Sequence, residues 1–361
     1  MQTDTEKYTT FDFSSPIKFG VNQINSLKIP RVIFSVHEQN KVHGSIVEDL
    51  FTFYCSRDRF RTNIKSLIII CSKDNGKILD HTLDILKQYN INDPYDILLV
   101  DDRSVSNDII ELSDKYETSY IKIFNDRDIF NYSVINNIAA CYGKHHNKEL
   151  LIFYNNDLWP SSPSTIDSLV KKHYDNQSDI SGCRLIYPTQ EEYERLGKPN
   201  HLLSDHLDKI YGSIQHGGIH FILREGTFLD SNRKYYGDHV VLVPNHLWRF
   251  YDKDTKLANS DSSCYAVTGA IQIIKTDTFI SLNGFDDGLC TAFQDIDLCL
   301  KAVEKNLSVN YFGSEYMVHA ESLTQAIEQV NYKKTISSDN ILWDIKWGTK
   351  LPYLLGYQKN A

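Results

Sequence analysis

Several short stretches of the chain carry side chains whose types and spacing allow chemistry. The apolar run Leu150-Leu151-Ile152-Phe153-Tyr154 ends abruptly in Asn155-Asn156-Asp157. Amide and carboxylate oxygens suit a hard divalent cation, and the same residues ahead of Pro160 also suit a plain turn. Asp101 and Asp102 close a second apolar run. Carboxylates there accept hydrogen bonds from a nucleobase or ribose, or cap the next helix. Asp295 and Asp297 open an amphipathic segment whose buried side is marked by Ile296, Leu298, Leu300 and Val303. Acidic groups in a first helical turn are stabilised by the helix dipole, and one that borders a groove is also well placed as a general base. His319, after Tyr316-Met317-Val318, fits a structural or a ligating role. Gly217-Gly218, after His216, permits close backbone approach or simply a turn.

These residues need a frame, and the frame is legible from about residue 63. SLIIICS (66–72), DILLVDD (96–102), YIKIF (120–124) and ELLIFYNND (149–157) are apolar runs of strand length. Between them lie ILDHTLDILKQY (78–89), with Leu79, Leu83 and Leu86 on one helical face, NDIIELSDKY (107–116), and YSVINNIAACYG (132–143), read as ending at Gly143. Strands alternating with helices predict an α/β fold with a mostly parallel central sheet flanked by helices. Ligands then bind at the carboxyl ends of the strands, which singles out Cys71-Ser72-Lys73, Asp101-Asp102 and Asn155-Asn156-Asp157.

Residues 1–62 read as a β-rich extension, with RVIFSV (31–36) and LFTFYC (50–55) as strands. The stretch 180–262, which includes the polar YPTQEEYERLGKPNH (187–201), reads as less regular. Regular structure resumes with YAVTGAIQIIK (265–275), a loop at 283–293, a helix at 294–306, a strand at 308–313 and YMVHAES (316–322). The tail from 323 is expected to start as a helix and carries Trp343, Trp347, Tyr353, Leu354 and Leu355.

At 361 residues the chain can bury a large core as one elaborated domain or two. A net charge of −9 and no long basic run argue against generic nucleic-acid binding. Seven cysteines with no CxxC pair signal neither a zinc site nor a disulfide framework. No stretch approaches the roughly 20 apolar residues that span a bilayer, and MQTDTEKYTTFDF lacks a signal-peptide layout. The expected compartment is a reducing cytoplasm.

Taken in order, IIICSKDN (68–75), LLVDDRS (98–104), IFNYSVINNIAACYG (129–143), LLIFYNND (150–157), IQHGGI (214–219), VTGAIQIIKTDTFISLNGFDDGL (267–289), FQDIDLCLKA (293–302) and VHAESLT (318–324) form a recognisable series. On these stretches the chain resembles the family 2 inverting glycosyltransferases of the GT-A fold, in particular rhamnosyltransferase-like enzymes of bacterial surface polysaccharides. The resemblance covers about 63–325. It implies a GT-A domain there, with a nucleotide-binding half (63–160) and an acceptor-binding half (161–325), followed by a helical, aromatic tail (326–361).

What the resemblance implies for chemistry is specific. A nucleotide-diphosphate sugar, with UDP- or dTDP-sugars expected, lies over the strand ends with Mg²⁺ or Mn²⁺ on its diphosphate. Asn155-Asn156-Asp157 stands at the family's DxD-type motif, with Asp157 as the metal carboxylate and His319 completing the metal or diphosphate site. Asp102 and Asp101 match the nucleoside-binding acidic position, and Ser72, Lys73, Asn136 and Asn137 look like further elements of that pocket. Asp295 matches the catalytic base, although Gln294 stands where Glu or Asn is usual. The acceptor is a hydroxyl of a glycan or lipid-linked glycan, attacked once with inversion.

Two other functions compete. A sugar nucleotidyltransferase calls for a Gly-rich basic loop after the first strand, which SKDNGK (72–77) matches poorly. A non-catalytic nucleotide- or glycan-binding scaffold is favoured by the amides at 155–156 and by Gln294, and disfavoured by Asp157, Asp295 and His319. The C-terminal aromatic cluster, with Lys346 and Lys350 nearby, suits peripheral contact with the inner face of the membrane. It equally suits packing on the catalytic domain or on another subunit.

Overall fold

The computed structural model describes residues 8–11, 32–37, 41–46, 51–74, 76–125, 130–197, 207–229, 235–321 and 329–356. Asn75, Ile129, residues 198–201 and 322–328, all included in the readings above, lie outside the described residues.

The unbroken apolar runs become strands buried on both sides. β5 (Ser66–Ser72) follows four amino-terminal strands, β1 (Tyr8–Phe11), β2 (Val32–His37), β3 (Lys41–Ile46) and β4 (Phe51–Arg57). Then come α1 (Gly76–Gln88), β6 (Asp96–Asp102), α2 (Asp108–Lys115), β7 (Ser119–Asn125), α3 (Tyr132–His145) and β8 (Leu150–Asn155). The strands lie side by side in the order β7-β6-β5-β8, all parallel. Alternation along β5 explains why helices cover both faces. Leu67 and Ile69 pack with Val134, Ile135 and Ile138 of α3, whereas Ile68 and Ile70 pack with Leu79, Leu83 and Leu86 of α1 and Ile109 of α2. Full burial of each such side chain is worth about 1.5–3 kcal/mol. The parallel block confirms the α/β alternation read from the sequence.

Gly143 does not end α3, which runs on to His145. Its missing side chain admits Leu67, whose Cδ2 would lie 2.7 Å from a Cβ placed there. The glycine is a packing notch and not a stop signal.

The β-rich extension is part of the main sheet, because β4 pairs antiparallel with β7. On the other side the chain builds β9 (Leu158–Pro160), α4 (Thr165–Asp175), β10 (Ile180–Ile186), α5 (Gln190–Leu196), α6 (Leu207–Ile210) and β11 (Ile214–His216). A long two-stranded ribbon follows, β12 (Ile219–Leu229) with β13 (Tyr235–His246). The stretch 180–262 is therefore more regular than its composition indicates. Helix α5 starts with a complete capping box between Thr189 and Glu192, a T-x-x-E signal present in the sequence.

The remaining elements are β14 (Ser262–Ser263), β15 (Ile271–Lys275), α7 (Thr276–Ser281), α8 (Gln294–Glu304), β16 (Val309–His319), α9 (Gln329–Trp347) and α10 (Leu351–Leu354). The segments 308–313 and 316–322, read separately, form one strand, β16, that ends at His319. β15 lies antiparallel between β8 and β10, and β10 is parallel to β16. The tail is helical as expected, with Trp343 and Trp347 buried in the main core and Tyr353 74% exposed. Among the described residues no helix is long and apolar enough to cross a membrane.

The amino-terminal ends of the strands are fastened by a buried ion pair. The Lys148 side chain is 0% exposed, and its ammonium contacts Asp96 Oδ2 at 2.5 Å. It also donates to the carbonyls of Arg61 and Ile64. Replacing Asp96 with Ala would strand that charge, which costs about 3–5 kcal/mol. Urea unfolding of Asp96→Ala is expected to show a loss of that size, and a loss under 1 kcal/mol would show that the pair is not what holds this end together.

Candidate functional site

The carboxyl ends of β5, β6 and β8 bring most of the singled-out residues to one edge of the sheet. At the end of β8 the chain turns through Asn155-Asn156-Asp157 into β9. The turn is tied on three sides. The Asn155 amide donates to the Ala270 carbonyl at 3.0 Å, the Asn156 side chain donates to Ser72 Oγ at 2.9 Å, and Thr82 of α1 donates to the Asn156 carbonyl at 2.8 Å. β9 then pairs with the end of β16, setting His319 opposite Leu158.

That pairing creates a corner. His319 Nε2 lies 3.1 Å from Asp157 Oδ1 and 3.2 Å from Asn155 Nδ2. Its other ring nitrogen, Nδ1, lies 2.7 Å from Gln215 Oε1 on β11. A proton on Nδ1, donated to the Gln215 amide oxygen, would leave the Nε2 lone pair to face Asp157 and Asn155. In that tautomer the Asn155 amide can donate to Nε2, and the Asp157 carboxylate and Nε2 converge as two electron-pair donors. Such a pair suits a divalent cation, with Gln215 as the outer partner that fixes the histidine. Among the described residues no group of three or more His, Cys, Asp or Glu side chains gathers for a metal. The residues present thus fit a metal that takes its remaining ligands from substrate or water.

The second edge is the loop after β6. Both Asp101 oxygens are engaged internally, Oδ1 by the Ser104 amide at 2.8 Å and Oδ2 by the Tyr120 hydroxyl at 2.7 Å. Asp102 is buried, and Arg103 grips both its oxygens at 2.9 Å. Burial pushes the Asp102 carboxyl up, and Arg103 and Lys73 oppose this. Arg103 reaches back because its own backbone is left-handed, at φ 60°. Its place directly after the two aspartates was the available signal for a residue that the sequence reading passed over. The neighbouring loops are joined, since Asp74 exchanges hydrogen bonds with Ser104 and Val105.

Helix α3 places Asn136 against Cys71, whose thiol lies 3.4 Å from its amide oxygen. Asn137 faces elsewhere. Its amide donates to the Phe285 carbonyl and to Asp287, and accepts from the Phe285 amide. It staples α3 to the loop after α7.

Asp295 lies in the first turn of α8. Its Oδ2 accepts from the Gly269 amide at 2.6 Å and its Oδ1 from the Ile296 amide at 2.8 Å. Burial raises its carboxyl above the ordinary range, and these two donors pull it back. Gly269 must be small here, because a Cβ on it would lie 3.1 Å from Asp295 Cβ. The Tyr132 hydroxyl donates to the Gly269 carbonyl at 3.0 Å. Two consecutive residues, Gly269 and Ala270, therefore hold Asp295 and Asn155 respectively. Asp297 points the other way, into a buried cluster with Lys346, Lys301 and Trp347.

Beside Asp295 is a cavity of about 240 Å³ lined by Ile219, Asn245, His246, Phe293 and Gln294 among others. The Gln294 amide oxygen has no hydrogen-bond partner among the described residues. His246 is bonded to His216, Nδ1 to Nδ1 at 2.8 Å. Burial lowers the His246 ring to about 4 and holds the His216 ring well below its ordinary value, so both are neutral near pH 7. β11 thus supplies Gln215 to the corner and, in His216, the partner of the cavity-lining His246.

Comparison with known proteins adds a family. The family model described as Glycosyl transferase family 2 matches residues 67–250, which takes in Ser72 through Asp157 and stops before Asp295 and His319. The chain is 25% identical over 287 residues to the O-antigen biosynthesis protein RfbC of Myxococcus xanthus, covering 77% of this chain and 19% of that one. It is also 25% identical over 270 residues to the uncharacterized protein y4gI of Sinorhizobium fredii, covering 74% of this chain and 26% of that one. The chain thus spans about a fifth to a quarter of the curated relatives it matches. Among solved structures, GalNAc-T7 with UDP, GalNAc and Mn²⁺ aligns with a TM-score of 0.45 at 16% identity, covering 79% of this chain and 47% of that one. The α/β architecture read from the sequence is present, with the parallel strands β7-β6-β5-β8 at its centre. With half of its length matched by the family model, across the parallel strands and the first site corner, the chain belongs to glycosyl transferase family 2.

Proposed function

We propose that this glycosyltransferase moves a sugar, with inversion, from a nucleotide-diphosphate donor to a hydroxyl of a glycan or lipid-linked glycan in surface-polysaccharide synthesis. The observation that carries this reading is the shared anchor at Gly269-Ala270. It ties Asp295 and the Asn155–Asp157 turn to adjacent peptide units, so a base and a cation-binding corner sit on one rigid support. UDP- or dTDP-sugars are the expected donors, and cytoplasmic synthesis is the expected setting.

In this mechanism Asp295 removes the acceptor proton as the acceptor oxygen attacks the anomeric carbon from the face opposite the nucleotide. The Gly269 and Ile296 amides fix the direction of its carboxylate, so the base is aligned before substrate arrives. Asp157 and His319 would hold Mg²⁺ or Mn²⁺, with Asn155 beside them and Asn156 shaping the turn. Such an ion, when bound, offsets the charge that grows on the departing diphosphate. Asp102 with Arg103, together with Ser72, Lys73 and Asn136, forms the proposed nucleoside side of the site. Asp101 and Asn137 support it by fastening the flanking loops. No second nucleophile is invoked, because one displacement accounts for inversion.

The reading is tested by a thermal-shift screen of UDP-, dTDP- and GDP-sugars with and without Mn²⁺. A ligand that binds only the folded state raises its apparent stability, and a screen in which no donor shifts the transition would count against the proposal. Asp295→Asn is expected to lower kcat by about 10²–10⁴-fold with donor affinity kept. Near-normal turnover would remove Asp295 as the base. Because a base works ionised and burial raises this carboxyl, activity should fall on acidification at a higher pH than the usual aspartate value of about 3.9. Gln215→Leu removes the outer partner of His319 and should weaken Mn²⁺ binding by about 10–100-fold. Titrating Mn²⁺ against nucleotide binding measures this, and an unchanged midpoint would mean that the Gln215 contact does not tune the corner.

A further inference from the structure

We propose that one face of the carboxy-terminal helix α9 is a positioning brace for the segment that carries the base, with Asp339 and Trp343 as positioning residues. The inference rests on the reading of Asp295 as the base and concerns residues beyond the family match, which ends at 250.

Asp339, Trp343, Lys346 and Trp347 are spaced i, i+4, i+7 and i+8, which sets them on one helical face. Each contacts the segment 286–297. Asp339 is 0% exposed. Its Oδ1 accepts from the Cys290 amide at 3.0 Å, and its Oδ2 accepts from the Thr291 and Ala292 amides at 2.8 Å and from the Thr291 hydroxyl at 3.0 Å. Three successive N–H groups that point one way form an anion-binding concavity, and here the chain supplies its own anion. Trp343 stacks on Phe293, with centroids 4.8 Å apart and planes at 28°. Lys346 reaches Asp286 at 2.8 Å and Asp297 at 2.5 Å, and Trp347 donates to Asp297 at 2.9 Å. Packing is close, since a Cβ on Gly288 would lie 2.5 Å from Leu342 Cδ2.

These contacts fall on both sides of Asp295 in the chain, and none touches it. Between them is Phe293, a bulky residue held left-handed at φ 65° immediately before α8. A conformation of that kind is unfavourable for a residue with a side chain and persists only where the surroundings impose it. α9 supplies those surroundings, through the Asp339 carboxylate on one side of Phe293 and the Trp343 ring on its face. If the brace loosens, Phe293 relaxes, the start of α8 turns, and Asp295 swings off the Gly269 amide.

Three variants of the full chain test this, Asp339→Asn, Trp343→Leu and the ring-preserving Trp343→Phe. Turnover is read as nucleotide release from the donor into water with Mn²⁺, and the Gly269 amide is followed by hydrogen exchange. Asp339→Asn and Trp343→Leu are expected to lower kcat at least about tenfold, keep the donor KM within about twofold, and speed exchange at Gly269. Trp343→Phe should retain most of the rate and the protection. A folded Asp339→Asn or Trp343→Leu protein with wild-type kcat and Gly269 protection would overturn the brace. So would losses in which donor KM rises in step with the fall in kcat. Asp295→Asn run alongside separates the two ideas. If it abolishes turnover while the α9 variants are normal, only the brace fails. If Asp295→Asn is itself near normal, the assignment of the base fails.

Discussion

Two adjacent peptide units, Gly269 and Ala270, constrain the arrangement of the whole site. They lead into β15, the strand wedged antiparallel between β8 and β10. A backbone donor at one unit aims the Asp295 carboxylate, and a backbone acceptor at the next fastens the turn that presents Asp157. Both units lie in the turn that enters β15, so the two corners share one short backbone support. A side chain at position 269 would press on Asp295, which would have to give by a few tenths of an ångström.

The remaining parts of the site are supported in different ways. The proposed cation corner depends on strand pairing, because β9 lies against the end of β16 and thereby carries His319 to Asp157. The proposed nucleoside side depends on short polar links between loops, with Asp101 consumed in holding Ser104 and Tyr120. The segment that carries Asp295 is held by charge, with Asp297, Asp286 and Lys346 buried and Lys301 packed beside them. Buried ions of this kind are costly unless fully paired.

How much of this was legible in the sequence follows from what each element depends on. β5, β6 and β8 are buried on both faces, so they read as unbroken apolar runs, and α1 shows its buried stripe as Leu79, Leu83 and Leu86. The β12–β13 ribbon was hidden because its second strand contains Gly237 and Pro244, residues that ordinarily argue against a strand. Asp157, His319 and Asp295 were named through the order of motifs along the chain. Their partners Gln215 and Gly269 were not, since contacts between segments far apart in the chain leave no local pattern, whereas Arg103 was passed over although it directly follows Asp102. Asn137 shows the converse. Its motif is prominent, and its amide is wholly occupied in joining α3 to a loop.

The amino-terminal strands have a role that concerns neither donor nor base. Without β4, the long strand β7 would present a row of unpaired amides and carbonyls at the margin of the parallel block, a template on which other chains can add. The β1–β4 ribbon covers that margin and moves the outer boundary of the sheet to β1, only 4 residues long. The sheet margin open to a further strand is thereby shortened from the 7 residues of β7 to the 4 of β1.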